Sequence, residues 1–252
     1  MERESEYLKL PIVRKNEVEI SKVLVGTSPF IAAGQFEESH TYYLEFVMKR
    51  GEAAKILSWC LSNGFAWIQA IDVSFLVSEI DMACERANQP PIIVLSTWDK
   101  PDRAIERFKK FDVRIVLAHA SITDRLDVPQ IRKFLAQVKE LGFTPGIATH
   151  SPTRTLRKLR HVDEIKVVMV PLNYAGLFNE DVGETLEVLK EMNVVVIAKK
   201  VLGAGRLPVE RSLMWAFSRP EIDSIALGVA SISEAGRTLL LARQLACRAG
   251  VN

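Results

Sequence analysis

The chain has 252 residues, 48% of them hydrophobic, which is enough apolar side chain for one substantial core. Its net charge is +2, from 33 basic and 31 acidic residues, so the composition indicates neither a nucleic-acid nor a membrane-surface partner. The three cysteines are far apart and odd in number, which favours reduced, buried thiols over a disulfide framework. The N-terminus is charged and no apolar run is long enough to span a membrane, so a cytoplasmic protein is expected.

The first predicted element is a hairpin within residues 1–21. Its strands, Leu8–Ile12 and Glu17–Ser21, flank the turn Arg14-Lys15-Asn16. A buried strand, Lys22–Thr27, comes next. The connection after it, residues 28–49, is too long for a plain linker and is predicted to be a lid or binding loop.

From Glu52 onward, strands and helices alternate with short connections. The strands are apolar throughout rather than at every second residue, which indicates a parallel sheet covered by helices. Eight such units favour a closed (β/α)8 TIM barrel over an open sheet, in one domain over 1–252. The predicted strands are Lys22–Thr27, Phe65–Asp72, Pro91–Thr97, Val113–His119, Thr144–His150, Ile165–Pro171, Val194–Ala198 and Ile222–Gly228. The predicted helices are 52–63, Ser78–Ala87, 101–110, Pro129–Leu141, Pro152–Leu159, Val182–Met192, Val209–Phe217 and 231–248.

Polar residues stand at the C-terminal ends of these strands, where a TIM barrel places its active site. The ends are Gly26-Thr27, Asp72, Thr97-Trp98-Asp99, His119, Thr149-His150-Ser151, Asn173-Tyr174, Lys199-Lys200 and Gly228. Packing does not readily explain polar groups on strands built of Val, Ile and Leu. Lys200 is expected to face the barrel mouth as a catalytic group, a phosphate contact or an ion-pair partner. Lys199 is expected to lie on the other side of the strand, between helices.

The strand Val194–Ala198 leads into a turn suited to an anion. Two lysines follow it, and Gly203 and Gly205 allow backbone N–H groups to approach a ligand closely. This is the place where TIM barrels commonly bind a phosphate.

Each candidate also has a structural explanation. Asp72 could cap the next segment or pair with a lysine, and His119 could be a hydrogen-bonded core histidine. His150 precedes Ser151-Pro152 and could begin a helix. These alternatives stay open at the level of sequence.

The order of segments over about residues 17 to 248 resembles the aldo-keto reductase family. NGFAWIQAIDVSFLVSEID is similar to the family segment that carries the catalytic aspartate, here Asp72, and IVLAHA to the strand that ends in the catalytic histidine, here His119. GIATHSP, VIAKKVLGAGRL and IALGVASISEA resemble its cofactor-binding segments. The resemblance implies an NADP(H) or NAD(H) cofactor, held by Thr149, His150, Asn173, Lys199, Leu202, Gly203, Gly205, Arg206, Gly228, Ala230 and Ser231.

The chain departs from the family at residues that its chemistry needs. The family's tyrosine, which donates a proton to the carbonyl, falls on Val77, and its lysine falls on Trp98. The asparagine of the last cofactor segment is Thr238, and the tyrosine that stacks on the nicotinamide ring is Lys199. The usual proton transfer therefore cannot run from these positions.

The favoured hypothesis is a divergent NAD(P)H-dependent reductase of a small carbonyl compound, with Asp72, His119 and Lys200 as its catalytic residues. His119 would polarise the carbonyl and Asp72 would tune it electrostatically, while Tyr42 or Tyr43 could replace the missing acid.

Two other hypotheses remain. The first is a non-redox lyase, isomerase or hydrolase that acts on a phosphorylated or carboxylated substrate and reuses Asp72, His119, His150 and Lys200. Its carboxylate and imidazoles could ligate a divalent metal, although no close ligand spacing supports one, and no metal site is assigned. The second is a catalytically inactive barrel that binds a nucleotide or a partner protein.

Overall fold

Eight parallel strands close into a barrel in which neighbours follow chain order and the last strand lies beside the first, which confirms the predicted (β/α)8 fold. The computed structural model describes residues 10–98 and 100–249. The barrel closes where the last strand pairs in parallel with the first, with Gly228 opposite Gly26. The barrel strands are β3 (Val23–Gly26), β4 (Trp67–Ile71), β5 (Ile92–Thr97), β6 (Asp112–Ala118), β7 (Thr144–Ala148), β8 (Val167–Pro171), β9 (Val195–Lys199) and β10 (Ser224–Gly228).

Helices cover the outside of the barrel and pack on its outward-facing side chains. They are α1 (Ser39–Tyr42), α2 (Glu52–Ser62), α3 (Ser74–Ala87), α4 (Pro101–Phe108), α5 (Ala120–Thr123), α6 (Val128–Glu140), α7 (Pro152–Leu159), α8 (Val182–Met192), α9 (Val209–Phe217) and α10 (Ile232–Ala249). No helix within the described ranges is long and apolar enough to cross a lipid bilayer.

Local capping explains several helix boundaries. Asp127 and Asp181 accept backbone hydrogen bonds at the starts of α6 and α8. Asn88 and Asn193 adopt left-handed backbone conformations (φ of 49° and 47°) and end α3 and α8. Residues at the helix boundaries therefore fix where these helices begin or end, independently of tertiary packing.

A two-stranded antiparallel hairpin precedes the barrel, as predicted. It consists of β1 (Ile12–Lys15) and β2 (Val18–Ser21), so the first strand lies later in the chain than expected. The turn is at Asn16 and Glu17, both with positive φ. The expected strand Leu8–Ile12 begins outside the described residues. Val18 and Ile20 pack against the residues that fill the barrel interior, and the hairpin therefore covers one end of the barrel.

Side-chain direction alternates along each strand. Val195 and Ile197 of β9 pack inside the barrel, whereas Val196 and Ala198 pack outward against the helices. The same alternation in β4 turns Trp67 inward and Ile68 outward. It decides which strand-end residue reaches the mouth of the barrel.

The long connection after β3 is ordered by its own aromatic residues. Phe30 and Phe46 are buried and meet edge to face, with ring centroids 5.2 Å apart. Helix α1 continues directly into a π-helical turn, Tyr43–Val47. The expected lid or binding loop thus has helical structure that the sequence did not predict.

Three other expectations need correction. Helix α3 begins at Ser74 rather than Ser78, because Leu76, Ile80 and Ala83 continue one buried helical stripe. The short helix α5, directly after β6, was not predicted. The cysteines, expected to be buried, differ: Cys60 is buried, Cys84 half-buried and Cys247 exposed.

Candidate active site

A cavity of about 370 Å³ opens at the C-terminal ends of the barrel strands. Inward-facing strand residues line its floor, among them Gln69, Ser96 and Met169. The long first connection and the turns after β9 and β10 form its walls. The predicted site residues that line this cavity are His119, His150, Lys199, Lys200, Leu202, Gly205, Gly228 and Ala230.

Asp72 lies apart from this cavity. Its carboxylate is fully buried and points toward helix α4, where Arg107 donates two hydrogen bonds to it. Thr97 donates a third hydrogen bond, with an Oγ1–Oδ2 distance of 2.8 Å. The side chain therefore ties two strand ends to a helix, and the structure does not bring it together with His119 and Lys200. Asp99, which the sequence predicts to stand at the same strand end as Thr97, lies outside the described part of the chain.

Thr149 and Asn173 are buried and hold the backbone rather than line the cavity. The Thr149 hydroxyl donates to Asp124 and accepts from the N–H of Ser151. The Asn173 amide bonds four backbone groups of its own loop and of Lys200. Both residues hold loops beside the cavity in place, and neither lines it.

In the turn after β9, close packing requires a glycine at one of the two glycine positions. Gly203 has a φ of 58°, and a Cβ there would lie 2.8 Å from Leu207 and 2.9 Å from Leu177. Gly205 has a φ of 90° and open space around it, so only this second glycine leaves room for a ligand. Arg206 pairs with Glu37 of the first connection, at 3.0 Å.

Lys199 points into the barrel mouth, contrary to the expectation that it would lie between helices. It continues the inward row of Val195 and Ile197, and its Nζ lies 3.1 Å from Nδ1 of His150. Burial, and then the neighbouring charge of Lys200, lower the pKa of Lys199 to about 7, against the opposing effect of Asp124. Near neutral pH this amine is therefore partly uncharged.

Lys200 also lines the cavity, because it adopts a left-handed backbone conformation (φ of 54°) just after the strand. Its ammonium lies 4.2 Å from the centroid of the Phe178 ring, in a cation–π contact. Burial lowers the pKa of Lys200 to about 8. Lys199 therefore reaches the cavity from the end of β9, and Lys200 reaches it from a left-handed backbone conformation.

His119 begins helix α5, and its ring is fixed by that helix. The backbone N–H of Ser121 donates to Nδ1, at 3.2 Å. A backbone amide can only donate, so Nδ1 is unprotonated and the neutral ring carries its hydrogen on Nε2. Burial and then Lys199 lower the pKa of His119, which keeps the ring neutral. His119 can therefore donate a hydrogen bond from Nε2.

His150 stands beside His119 at the exposed edge of the cavity, with ring centroids 5.8 Å apart. Asp124, which the sequence analysis did not single out, accepts the backbone N–H of His150 and the hydroxyls of Thr149 and Thr155. Partial burial, and then the charges of Lys199 and Lys200, lower the pKa of His150. The neutral ring can therefore accept a hydrogen bond from the Lys199 ammonium. We call His119, His150, Lys199 and Lys200 the basic wall.

Acidic and phenolic groups also line the cavity. They are Tyr42, Glu38 and Glu234. Burial, followed by the carboxylates of Glu234 and Glu38, raises the pKa of Tyr42, so its hydroxyl stays protonated. Glu234 also accepts the N–H of Ala230 at 2.8 Å, while the hydroxyl of Ser231 accepts the N–H of Glu234. The start of α10 is thus capped by its own residues.

The suggested metal ligands are not assembled. Within 10–98 and 100–249, no three His, Cys, Asp or Glu side chains are arranged to hold a metal ion. His119 and His150 are neighbours, but the third suggested ligand, Asp72, faces helix α4.

Comparison with solved structures identifies the fold. Two structures, each of a provisionally assigned aldo-keto reductase from Pseudomonas aeruginosa, match at 18% sequence identity. One covers 93% of this chain and 95% of its own, with a TM-score of 0.67; the other covers 96% and 98%, with a TM-score of 0.68. An aldo-keto reductase enzyme from a Medee basin deep-sea metagenome library matches at 13% identity, over 95% of this chain and 94% of its own, with a TM-score of 0.64. The chain has the aldo-keto reductase fold.

No protein-family model matches the sequence, and no curated protein is detectably similar to it. Similarity at such low identity establishes the aldo-keto reductase fold, while the activity has to be argued from the site. Val77, at the position of the family's tyrosine, packs against the hydrophobic core from helix α3. Trp98, at the position of its lysine, is 49% exposed and contacts His119 edge to face, with centroids 5.5 Å apart. Neither side chain can donate a proton to a carbonyl.

Proposed function

We propose that this protein is a nicotinamide-dependent reductase of small carbonyl compounds. The observation that carries the proposal is that His119, with its Nε2 donor, lines the same cavity as the turns after β9 and β10. A cavity of about 370 Å³ is of the size that ordinarily holds a small organic ligand. The aldo-keto reductase resemblance implies that a nicotinamide lies across this mouth.

His119 is the group best suited to bind the carbonyl oxygen. Its tautomer presents an N–H donor, and its lowered pKa keeps the ring neutral, so it stabilises negative charge that develops on the oxygen without losing its own proton. The Ser121 amide holds the ring orientation before any ligand binds. Such preorganised donors are typically worth about 10²–10³ in rate.

A proton must also reach the oxygen, and two cavity residues can hold one. Tyr42 keeps its phenolic proton because its pKa is raised, and Lys199 is partly protonated because its pKa is about 7. Lys199 is the better donor at neutral pH, since its pKa matches the working pH. We therefore assign proton delivery to Lys199 in place of the missing tyrosine.

The fit of a dinucleotide can be tested on the chain's own residues. When bound, the cofactor supplies the hydride. Leu202 and Gly205 would hold its phosphates beside Lys200, and Gly205 leaves open space there. The segment IALGVASISEA resembles the family turn that binds the phosphate of the cofactor's adenosine, which only NADPH carries. At this turn, the start of α10, the carboxylate of Glu234 already occupies the Ala230 amide and would repel that phosphate. This arrangement supports NADH over NADPH.

Fluorescence titration of the purified protein with NADH and with NADPH tests the proposal. We expect NADH to bind at sub-millimolar concentration and NADPH to bind more weakly. Reduction of short aldehydes should fall about 10²-fold in kcat/KM for His119→Ala. The exposed His161→Ala variant serves as the matched control. If neither nucleotide binds, the reductase proposal is wrong.

A further inference from the structure

Lys199 has the surroundings of a reactive amine rather than of a structural cation. Its side chain lines the cavity, and its Nζ lies 3.1 Å from Nδ1 of His150, within hydrogen-bond distance. Among the described residues, no carboxylate forms an ion pair with it, whereas the exposed Lys190 pairs with Glu221 at 2.9 Å. An inward-facing lysine without a carboxylate partner needs another explanation.

The neighbours of Lys199 favour its neutral form. Burial and the adjacent Lys200 lower the pKa of Lys199 to about 7, while Asp124 opposes the shift. At pH 7, about half of the Lys199 side chains are therefore neutral, against fewer than about one in a thousand for a lysine of ordinary pKa. Only the neutral amine has the lone pair that a nucleophile needs.

We propose that Lys199 forms an imine with a small carbonyl compound bound in the cavity, in a reaction that needs no nucleotide. The Nζ lone pair adds to the carbonyl carbon, a C–N bond forms, and one N–H proton moves to the oxygen to give a carbinolamine. The C–O bond then breaks, the oxygen leaves as water with the second N–H proton, and a C=N bond remains. One water is released, and nothing is oxidised or reduced.

The other residues of the basic wall suit this step. The Nε2–H of His119 can donate to the carbonyl oxygen and then to the departing hydroxyl. Nδ1 of His150, when it carries no hydrogen, can accept an N–H from Nζ and so direct the lone pair. Lys200 keeps its ammonium against the Phe178 ring and could pair with a negative group on the ligand. The site therefore fits a carbonyl compound that carries a carboxylate, such as a short 2-keto acid.

Reductive trapping tests the proposal on the full-length protein without nucleotide. The protein is incubated with pyruvate and sodium cyanoborohydride at pH 7, and the adduct is located by intact mass and peptide mapping. We expect one reduced adduct per chain, on Lys199, and at least a ten-fold loss of adduct in Lys199→Arg. The exposed Lys190→Arg variant, as matched control, should label like the wild type.

Each outcome either supports or overturns the imine proposal. An adduct on Lys200, labelling spread over surface lysines, or no adduct at all would overturn the proposal. If Lys199→Arg does not fold, as judged by circular dichroism, the peptide map of the wild-type protein still identifies the labelled residue. Imine formation and NADH binding are measured separately, so this proposal and the reductase proposal can fail independently.

Discussion

Arg107 binds the carboxylate of Asp72 at two points, from Nε to Oδ1 at 2.7 Å and from a terminal nitrogen to Oδ2. The Asp72 side chain is fully buried, whereas the Arg107 side chain is 34% exposed. The pair joins the end of β4 to helix α4, and neither residue lines the cavity. Asp72 thus has a structural role that accounts for its charge without a ligand.

Breaking this pair should cost stability. Arg107→Ala leaves a buried carboxylate without its arginine, and we expect a loss of about 3 kcal/mol in the free energy of unfolding in urea. Asp72→Asn leaves the half-exposed arginine accessible to water and should cost less, about 2 kcal/mol. Arg103→Ala, an exposed position on the same helix, is the control and should change stability by less than about 0.5 kcal/mol. If Asp72→Asn abolished NADH or pyruvate binding at unchanged stability, the residue would belong to the active site.

The stability of the protein should depend on the charge of Lys199. Its pKa is about 7 in the folded chain, against an ordinary value of 10.5. Between these pH values the unfolded chain binds a proton that the folded chain does not, so this group makes stability rise with pH over that range. Below about pH 7, both states are protonated and the full cost of the buried charge is present.

The shift corresponds to at most about 5 kcal/mol, so Lys199→Met should stabilise the fold by about 2 kcal/mol or more at pH 6 and by much less at pH 10. Urea unfolding at pH 6, 8 and 10 measures this difference, with the exposed Lys133→Met as the control. A gain that does not depend on pH would mean that packing, rather than the charge, is responsible.

The tautomer of His119 is open to direct observation. We expect ¹⁵N NMR of the labelled protein to find its hydrogen on Nε2, and to find that the ring gains its second proton at a lower pH than an ordinary histidine, because its pKa is lowered. Ser121→Ala removes the hydroxyl that lies 3.0 Å from Nδ1 but keeps the backbone N–H that donates to it, so the tautomer should be preserved. A hydrogen on Nδ1 would contradict the assignment of His119 as a donor into the cavity.

Glu234 should oppose the binding of phosphate at the start of α10. Glu234→Gln keeps an oxygen that can accept the Ala230 N–H but removes the negative charge. We expect the affinity for NADPH to rise about five-fold, with a smaller change for NADH, since one opposing charge is typically worth about 1 kcal/mol. Glu187→Gln, exposed on helix α8, is the matched control. An unchanged NADPH affinity would indicate that no phosphate approaches this turn.

The alternation of strands and helices was sufficient to predict the barrel, but not which way each strand-end side chain points. In a parallel barrel both faces of a strand are buried, so an apolar run such as Val195–Ala198 carries no inward–outward pattern. Lys199 was consequently assigned to the wrong side. Lys200 reaches the cavity through a left-handed backbone conformation, which is not typical of lysine. Asp124 directly follows helix α5, which the sequence did not predict, and from there it accepts hydrogen bonds from the residues after β7.

The pairing of Gly26 with Gly228 also bears on how the protein is made. A nascent chain on the ribosome contains β3 long before β10 emerges, so β3 lacks one of its two neighbours for most of synthesis. Until the ring closes, the open edges of β3 and β9 can pair with other chains. We expect the folding of this protein to be completed after synthesis, and slow closure of the ring to be its main source of aggregation.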